Sequence, residues 1–84
     1  MQKTTTVEVL GPGCANCRNL EARTREAIDS LGVDASIVKV TDFAEIASRG
    51  VMSTPALALD GRVVITGRVP SVSEIIAIIA DATS

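Results

Sequence analysis

The feature that most constrains this chain is a Cys-x-x-Cys pair at the point where a strand passes into a helix. Cys14 and Cys17 are the only two cysteines among 84 residues. The apolar run 7–10 predicts a short strand, the Gly-Pro-Gly segment 11–13 predicts a turn, and an amphipathic pattern follows. Unpaired N–H groups and the helix dipole stabilise an anion at such a helix start. Because the thiolate is the nucleophile of disulfide exchange, the pattern favours a thiol–disulfide exchange site.

Length and composition favour one small domain spanning residues 1–84. Hydrophobic residues make up 46 % of the chain, which supports a packed core without structural disulfides. The net charge is −2, with no basic stripe and no aromatic stacking platform, so nucleic-acid binding is disfavoured. No apolar stretch is long enough for a membrane span or a signal peptide, which predicts a protein of the reducing cytoplasm. We also expect the protein to be a monomer.

Several kinds of chemistry are excluded by missing residue types. The chain has no His, Trp or Tyr, and Phe43 is its only aromatic residue. Catalytic arrangements that need histidine cannot exist here, and neither can zinc sites with histidine ligands. The thiols, the carboxylates, the arginines and the backbone remain available, and we expect neither a cofactor nor a bound metal.

The first predicted helix runs from about Cys14 to Leu31 and ends at Gly32, a residue that readily takes the left-handed conformation. Its opposite face carries Glu21, Arg25 and Asp29 at i,i+4 spacing, which is typical of a solvated surface. The predicted buried face consists of Cys17, Leu20, Ala27, Ile28 and Leu31.

The rest of the chain predicts three more strands and two more helices. A strand over 35–40 is followed by a short helix with the capping pair Asp42 and Glu45, ended by Gly50. Strands over 56–59 and 62–66 flank Asp60-Gly61, a strong hairpin signal. A last helix begins with the capping pair Ser71 and Glu74, and its apolar stripe consists of Val72, Ile75, Ile76, Ile78 and Ile79.

The order β-α-β-α-β-β-α predicts an α/β fold. Strands joined through a helix are parallel, and strands joined by a two-residue turn are antiparallel. A four-stranded mixed sheet with helices on both faces follows.

With this order of elements and this cysteine motif, the chain resembles the thioredoxin superfamily, and in particular its small, glutaredoxin-sized members with a Gly-Cys-x-x-Cys motif. The resemblance covers about residues 6–80 and depends on three separated features. The motif 13–17 opens the first helix, Ser53-Thr54-Pro55 precedes the third strand, and Asp60-Gly61 with Gly67 brackets the fourth.

The resemblance implies roles for particular residues. Cys14 would attack, and the more buried Cys17 would resolve the mixed disulfide. Pro55 would be cis and face the cysteine pair, while the backbone of Thr54 would pair with the substrate. The implied partners are protein disulfides and a thioredoxin-type reductase or other dithiol donor. The implied substrate-binding residues are Gly13, Ala15, Asn16, Thr54, Pro55 and Gly67.

The chain also departs from thioredoxin itself. Gly13 replaces the tryptophan before the motif, and Ala15-Asn16 replaces the Gly-Pro between the cysteines. Glu8 alternates with Val7 and Val9, so we expect it to face outward and to provide no counterpart of the acid that thioredoxin buries. Glutaredoxin's Cys-Pro-Tyr-Cys is absent, which leaves the use of glutathione open.

Two other functions would use the same cysteine pair. One is a chaperone for Cu(I) or Zn(II), ions that thiolates bind well. Such carriers usually have Met where Pro12 stands, and they end in a strand. The other is a non-enzymatic redox sensor, which needs the same exposed, acidic thiol.

Four other positions have simpler structural interpretations. Gly11 fits turn geometry, Phe43 fits a core or staple residue at a helix start, and Arg68 fits a surface charge. Met52 fits packing in a loop near the cysteines, although a flexible thioether also suits a substrate groove.

Overall fold

A computed structural model of the chain describes residues 5–83. Its four strands and three helices occur in the predicted order. The strands and helices are β1 (Thr5–Leu10), α1 (Ala15–Leu31), β2 (Ala35–Val40), α2 (Phe43–Ser48), β3 (Ala56–Leu59), β4 (Arg62–Thr66) and α3 (Val72–Thr83). No helix within the described residues is long and apolar enough to cross a membrane.

The four strands form one mixed sheet in the order β2-β1-β3-β4. β1 pairs with β2 in parallel, with Val7 opposite Ile37, and pairs with β3 antiparallel, with Val9 opposite Leu57. β3 and β4 form the predicted antiparallel hairpin. The carboxyl end of β1, which leads into the cysteine motif, therefore lies beside the amino end of β3, which follows Pro55.

Helices α1 and α3 pack on one face of the sheet. Leu20 of α1 and Ile75 and Ile79 of α3 are fully buried against the sheet residues of this face. The buried sheet residues of this core are Val7, Val9, Leu57, Leu59 and Ile65. Fully burying each such side chain contributes about 1.5–3 kcal/mol, so this face supplies most of the fold's apolar stabilisation.

A second, smaller core lies on the other face of the sheet beneath α2. Ile46 of α2 and Val51 after it pack there with Leu10, Val40, Ala56 and Ala58. The helices thus cover both faces, as the fold class predicts.

Glu8 corrects one expectation from the sequence. It does point away from Val7 and Val9, but that face is covered by α2 rather than open to solvent. Glu8 is 8 % exposed, and its Oε1 accepts a hydrogen bond from Arg49 Nη1 at 2.6 Å. The alternation of apolar and polar residues predicted the correct face of β1 for Glu8. The burial of Glu8 results from the position of α2, which this alternation does not encode.

The hairpin turn has the backbone conformation that its sequence predicts. Asp60 and Gly61 have φ values of 50° and 87°, as a type I′ turn requires at both central positions. The Asp60 carboxylate also accepts a hydrogen bond from the Thr6 N–H at 2.8 Å, which ties the turn to β1.

Two exposed side chains contradict the packing predicted for them. Phe43 is 70 % exposed and Met52 is 97 % exposed, so neither contributes to a core. The helix α2 that separates them has only six residues and buries only Ile46, so the face that carries Phe43 stays open. Arg68 is a surface charge, as predicted, and its guanidinium is paired with Glu74.

The first residue of each predicted capping pair caps its helix through the side chain. Asp42 accepts a hydrogen bond from the Ala44 N–H at 3.1 Å, and Ser71 accepts one from the Glu74 N–H at 3.2 Å. The carboxylates of Glu45 and Glu74 bond instead to Arg49 and Arg68, respectively.

Candidate active site

Cys14 is the N-cap of α1, so its sulfur lies where the helix leaves its first N–H groups unpaired. Its backbone is extended, and its Sγ accepts a hydrogen bond from the Cys17 N–H at 3.3 Å. Gly13 immediately before it has a φ of 93°, which an L-residue with a side chain rarely adopts, and this turn aims the chain into the helix. The sequence therefore places a thiol, rather than the usual Ser or Asp, at the capping position.

The two sulfurs lie 2.6 Å apart, and one is open to solvent while the other is not. Cys14 is exposed, whereas Cys17 is 5 % exposed. A hydrogen bond from the Cys17 thiol, together with backbone N–H groups of the first turn, lowers the pKa of Cys14. Burial raises the pKa of Cys17, and its hydrogen bond to the Cys14 sulfur raises it further. The pair is therefore asymmetric: the accessible sulfur is the one that ionises first.

Cys17 owes its burial to a close approach between α1 and the end of β1. Its sulfur lies against the backbone of Gly11, in the space that a side chain at Gly11 would occupy. Gly11 itself is anchored to β2, because its N–H donates to the Val40 carbonyl at 2.9 Å. Cys17 thus packs on the backbone of the sheet and not only among side chains of the core.

The loop before β3 forms the other side of the site. The Thr54–Pro55 peptide bond is cis, as the resemblance implies, and Pro55 is buried while Thr54 is exposed. The Pro55 carbonyl accepts a hydrogen bond from the Gly67 N–H at 2.9 Å. A side chain at Gly67 would come within 3.1 Å of Ser53 Cβ, so this glycine lets the two loops approach.

The predicted site residues therefore lie in two adjoining segments. Pro55 Cα lies 3.8 Å from the position of a Cβ built on Gly11, which in turn borders the Cys17 sulfur. The first segment contains Gly13, Cys14, Ala15, Asn16 and Cys17, and the second contains Thr54 and Pro55 with Gly67 beside them.

A cleft of about 170 Å³ opens beside Cys17 toward the edge strand β2. Cys17 and Gly11 form part of its wall, and Arg18 and Lys39 bring positive charge to it. Glu21 partly offsets that charge, since its carboxylate pairs with Lys39 at 3.5 Å and with Arg25 at 3.1 Å. Among residues 5–83, no group of three or more His, Cys, Asp or Glu side chains is arranged to hold a metal ion.

Two features near the site were not anticipated from the sequence. The sequence predicts only a turn residue at Gly11, yet the Cys17 sulfur occupies the space that a side chain there would fill. A glycine at the end of a strand sometimes marks a close approach of another group, and that signal was available. The exposure of Met52, three residues before Pro55, has no sequence signal, since the apolar Val51 directly before it is buried.

Comparison with known proteins agrees with this geometry. A family model described as Thioredoxin domain matches residues 5–80. A curated thioredoxin from Methanothermobacter thermautotrophicus is 44 % identical over 69 residues, covering 82 % of this chain and 90 % of that protein. A thioredoxin from Methanocaldococcus jannaschii is also 44 % identical over 69 residues, covering 82 % of this chain and 79 % of its own length.

Solved structures share the fold at much lower sequence identity. One, from work on thioredoxin-2 as a component of the malaria parasite protein secretion machinery, superimposes with a TM-score of 0.72 at 18 % identity, covering 96 % of this chain and 85 % of the other. A second, titled as a malarial protein, gives a TM-score of 0.71 at 17 % identity, covering 94 % and 97 %. The family match and the curated relatives, together with a Cys-x-x-Cys pair at a helix start, show that this chain belongs to the thioredoxin family and is a thiol–disulfide oxidoreductase.

Proposed function

We propose that this protein reduces disulfides in other proteins, with Cys14 as the attacking thiol and Cys17 as the resolving thiol. The observation that carries the proposal is the asymmetry of the pair. Cys14 is exposed with a lowered pKa, whereas Cys17 is buried with a raised pKa. An incoming disulfide therefore meets Cys14 first, and meets it as the thiolate that the exchange requires.

In the first step, the Cys14 thiolate attacks one sulfur of the substrate disulfide. A bond forms between Cys14 and that sulfur, the substrate S–S bond breaks, and the other substrate sulfur leaves as a thiolate that takes a proton from water. The product is a mixed disulfide in which Cys14 no longer carries a negative charge.

In the second step, Cys17 loses its proton and attacks the Cys14 sulfur. The hydrogen bond to the Cys14 sulfur that raises the pKa of Cys17 weakens once Cys14 is a neutral disulfide sulfur, so ionisation of Cys17 becomes easier at the moment it is needed. The Cys14–Cys17 bond forms, the bond between Cys14 and the substrate sulfur breaks, and that substrate sulfur leaves as a second thiolate that takes up a proton from water. Two electrons have passed to the substrate, and a dithiol donor such as a thioredoxin-type reductase must return them.

The substrate segment would lie along the exposed backbone beside the cysteines. We assign substrate contact to Thr54 and Pro55 on one side, where Thr54 is exposed. Extended peptides are commonly held by backbone pairing, which tolerates many sequences. The remaining proposed contact residues are Gly13, Ala15, Asn16 and Gly67, all of them exposed.

We also propose that residues 1–84 form one domain, which acts as a monomer in the cytoplasm without a cofactor or metal. A reducing compartment suits the function because disulfides there are usually transient and catalytic. Size-exclusion chromatography at working concentration tests the monomer, and a dimer peak would contradict it.

Trapping the intermediate tests the assigned roles. With Cys17→Ser, the mixed disulfide between Cys14 and a protein substrate should accumulate, because the resolving thiol is gone. With Cys14→Ser, insulin reduction by dithiothreitol should fall to the uncatalysed rate, and no adduct should form. Mass spectrometry of the adduct identifies the bonded cysteine. Full activity of Cys14→Ser, or an adduct on Cys17 in the unaltered protein, would contradict the assignment.

A further inference from the structure

Gly11 directly follows strand β1, and the sulfur of Cys17 occupies the space that a side chain at Gly11 would fill. A Cβ built on Gly11 would overlap Cys17 Sγ, and it would lie 3.3 Å from Cys17 Cβ and 3.8 Å from Pro55 Cα. Gly11 is also held firmly, since it is buried and its N–H donates to the Val40 carbonyl. The backbone of Gly11 therefore has little freedom to move away from an added methyl group.

Space, and not backbone conformation, is what requires a glycine here. The φ of Gly11 lies outside the left-handed region, so no left-handed backbone calls for a glycine there. The other described glycines differ in this respect, because each has a positive φ. Gly32 is the clearest contrast: its φ is 66°, and a Cβ built on it meets nothing within 4 Å.

We propose that Gly11 is a positioning residue for the resolving thiol, and that the space it leaves open sets how readily the Cys14–Cys17 disulfide forms. The proposal rests on the proposed function only for the role of Cys17 in resolving the mixed disulfide. The steric relationship between Gly11 and the Cys17 sulfur does not depend on that role.

An added methyl group at Gly11 should penalise the oxidised protein more than the reduced protein. In the dithiol form, Cys17 can rotate about its Cα–Cβ bond and move its sulfur away from the methyl group. In the disulfide form, the bond to Cys14 fixes the position of that sulfur, so the overlap persists. Gly11→Ala should therefore make the disulfide a stronger oxidant and slow the attack of Cys17 on Cys14.

Redox equilibrium measures this directly. Gly11→Ala and the unaltered protein are equilibrated in glutathione buffers of graded ratio, and the free thiols are then trapped and counted by mass spectrometry. We expect the equilibrium to shift toward the dithiol by about tenfold, the order expected from overpacking one methyl group. Gly32→Ala is the matched control: it adds the same methyl group at the far end of α1 and should leave the equilibrium unchanged. An unchanged equilibrium for Gly11→Ala would overturn the proposal.

The Cys14 thiol gives a second readout that general destabilisation does not move. Cys17 lowers the pKa of Cys14 by donating a hydrogen bond to its sulfur. If Gly11→Ala displaces the Cys17 sulfur, the pH midpoint of Cys14 alkylation should rise. Gly32→Ala should again leave it in place.

A double-mutant cycle identifies the clashing atom. Gly11→Ala should destabilise the reduced protein in urea unfolding, but much less in the Cys17→Ala background, where the sulfur is absent. The remaining contact with the Cβ at position 17, at 3.3 Å, needs a shift of only a few tenths of an ångström. A variant that unfolds with Cys17 present and folds without it would support the proposal. Equal losses in both backgrounds, or failure to fold in both, would overturn it.

These outcomes are separable from failure of the proposed function. If Cys17→Ser traps the substrate but Gly11→Ala leaves the equilibrium unchanged, only the inference about Gly11 fails. If Cys14→Ser stays active while Gly11→Ala shifts the equilibrium, the assigned roles fail and the steric relationship stands.

Discussion

The guanidinium of Arg49 donates a hydrogen bond to the Glu8 carboxylate at 2.6 Å, which joins the end of α2 to the middle of β1. The Glu8 side chain is 10 % exposed and that of Arg49 is 28 % exposed, so water screens this pair less than it screens the pairs of Glu21 with Arg25 and Lys39 or the pair of Arg68 with Glu74. Arg49 also reaches Glu45 on α2, and the pair thereby fixes this short helix over the second core. The two carboxylates raise the pKa of Arg49, chiefly through the hydrogen bond to Glu8.

Removing only the cation should cost more stability than removing both charges. Arg49→Met leaves the Glu8 carboxylate buried without its partner, and such a charge is strongly destabilising. Adding Glu8→Gln removes that charge and should recover part of the loss. Urea unfolding at pH 7 measures both free energies. A double variant less stable than Arg49→Met alone would show that the carboxylate is already well solvated.

Alkylation of Cys14 should titrate below the pH of an ordinary thiol. Its rate rises with the thiolate fraction, and the hydrogen bond from Cys17 stabilises the thiolate over the thiol. Cys17→Ala removes the donor and should move the midpoint upward, whereas Cys17→Ser keeps a hydroxyl donor and should move it less. Iodoacetamide labelling read by mass spectrometry gives the midpoints. Identical midpoints in all three proteins would assign the lowered pKa to the helix start alone.

Asp60 should be replaceable by Asn but not by Ala. Its φ of 50° suits Asn and Asp better than other L-residues, and its carboxylate accepts a hydrogen bond from the Thr6 N–H. Asp60→Ala loses both advantages and should cost about 1–3 kcal/mol of unfolding free energy. Asp60→Asn keeps the turn and an acceptor oxygen, so its cost should be small. Thermal unfolding of the two variants side by side tests this; equal losses would contradict it.

Met52 should matter for substrate affinity and not for stability. It is 97 % exposed, and it directly precedes the segment 53–55 that borders the cysteines. Met52→Ser should therefore leave the unfolding midpoint unchanged while it raises KM for a protein disulfide. Val38→Ser, at another exposed apolar position on the edge strand, is the control for substrate affinity and should leave KM unchanged. A lower melting temperature for Met52→Ser would show that the side chain packs after all.

Local patterns in the sequence determined most of the architecture. The strands predicted over 35–40, 56–59 and 62–66 have their observed bounds, and Asp60-Gly61 specified the turn between the hairpin strands. The spacing of apolar residues predicted α1 to within one residue of its start, because capping and helical period are properties of neighbouring residues. The position of Cys14 at the helix start followed from the same local signals, and with it the expectation of an acidic thiol.

Only the tertiary structure decided which strands and helices contact one another. The pairing of β1 with β3, which brings Pro55 beside Gly11, joins residues far apart in the chain, and no local pattern encodes it. The burial of Glu8 depends on where α2 packs against the sheet. The exposure of Phe43 depends on which face of α2 remains open to solvent. The space at Gly11 matters only because α1 packs there and places the Cys17 sulfur in that space. Side-chain periodicity specifies a face, whereas contact across that face depends on the packing of separate elements, which arises only when the whole chain folds.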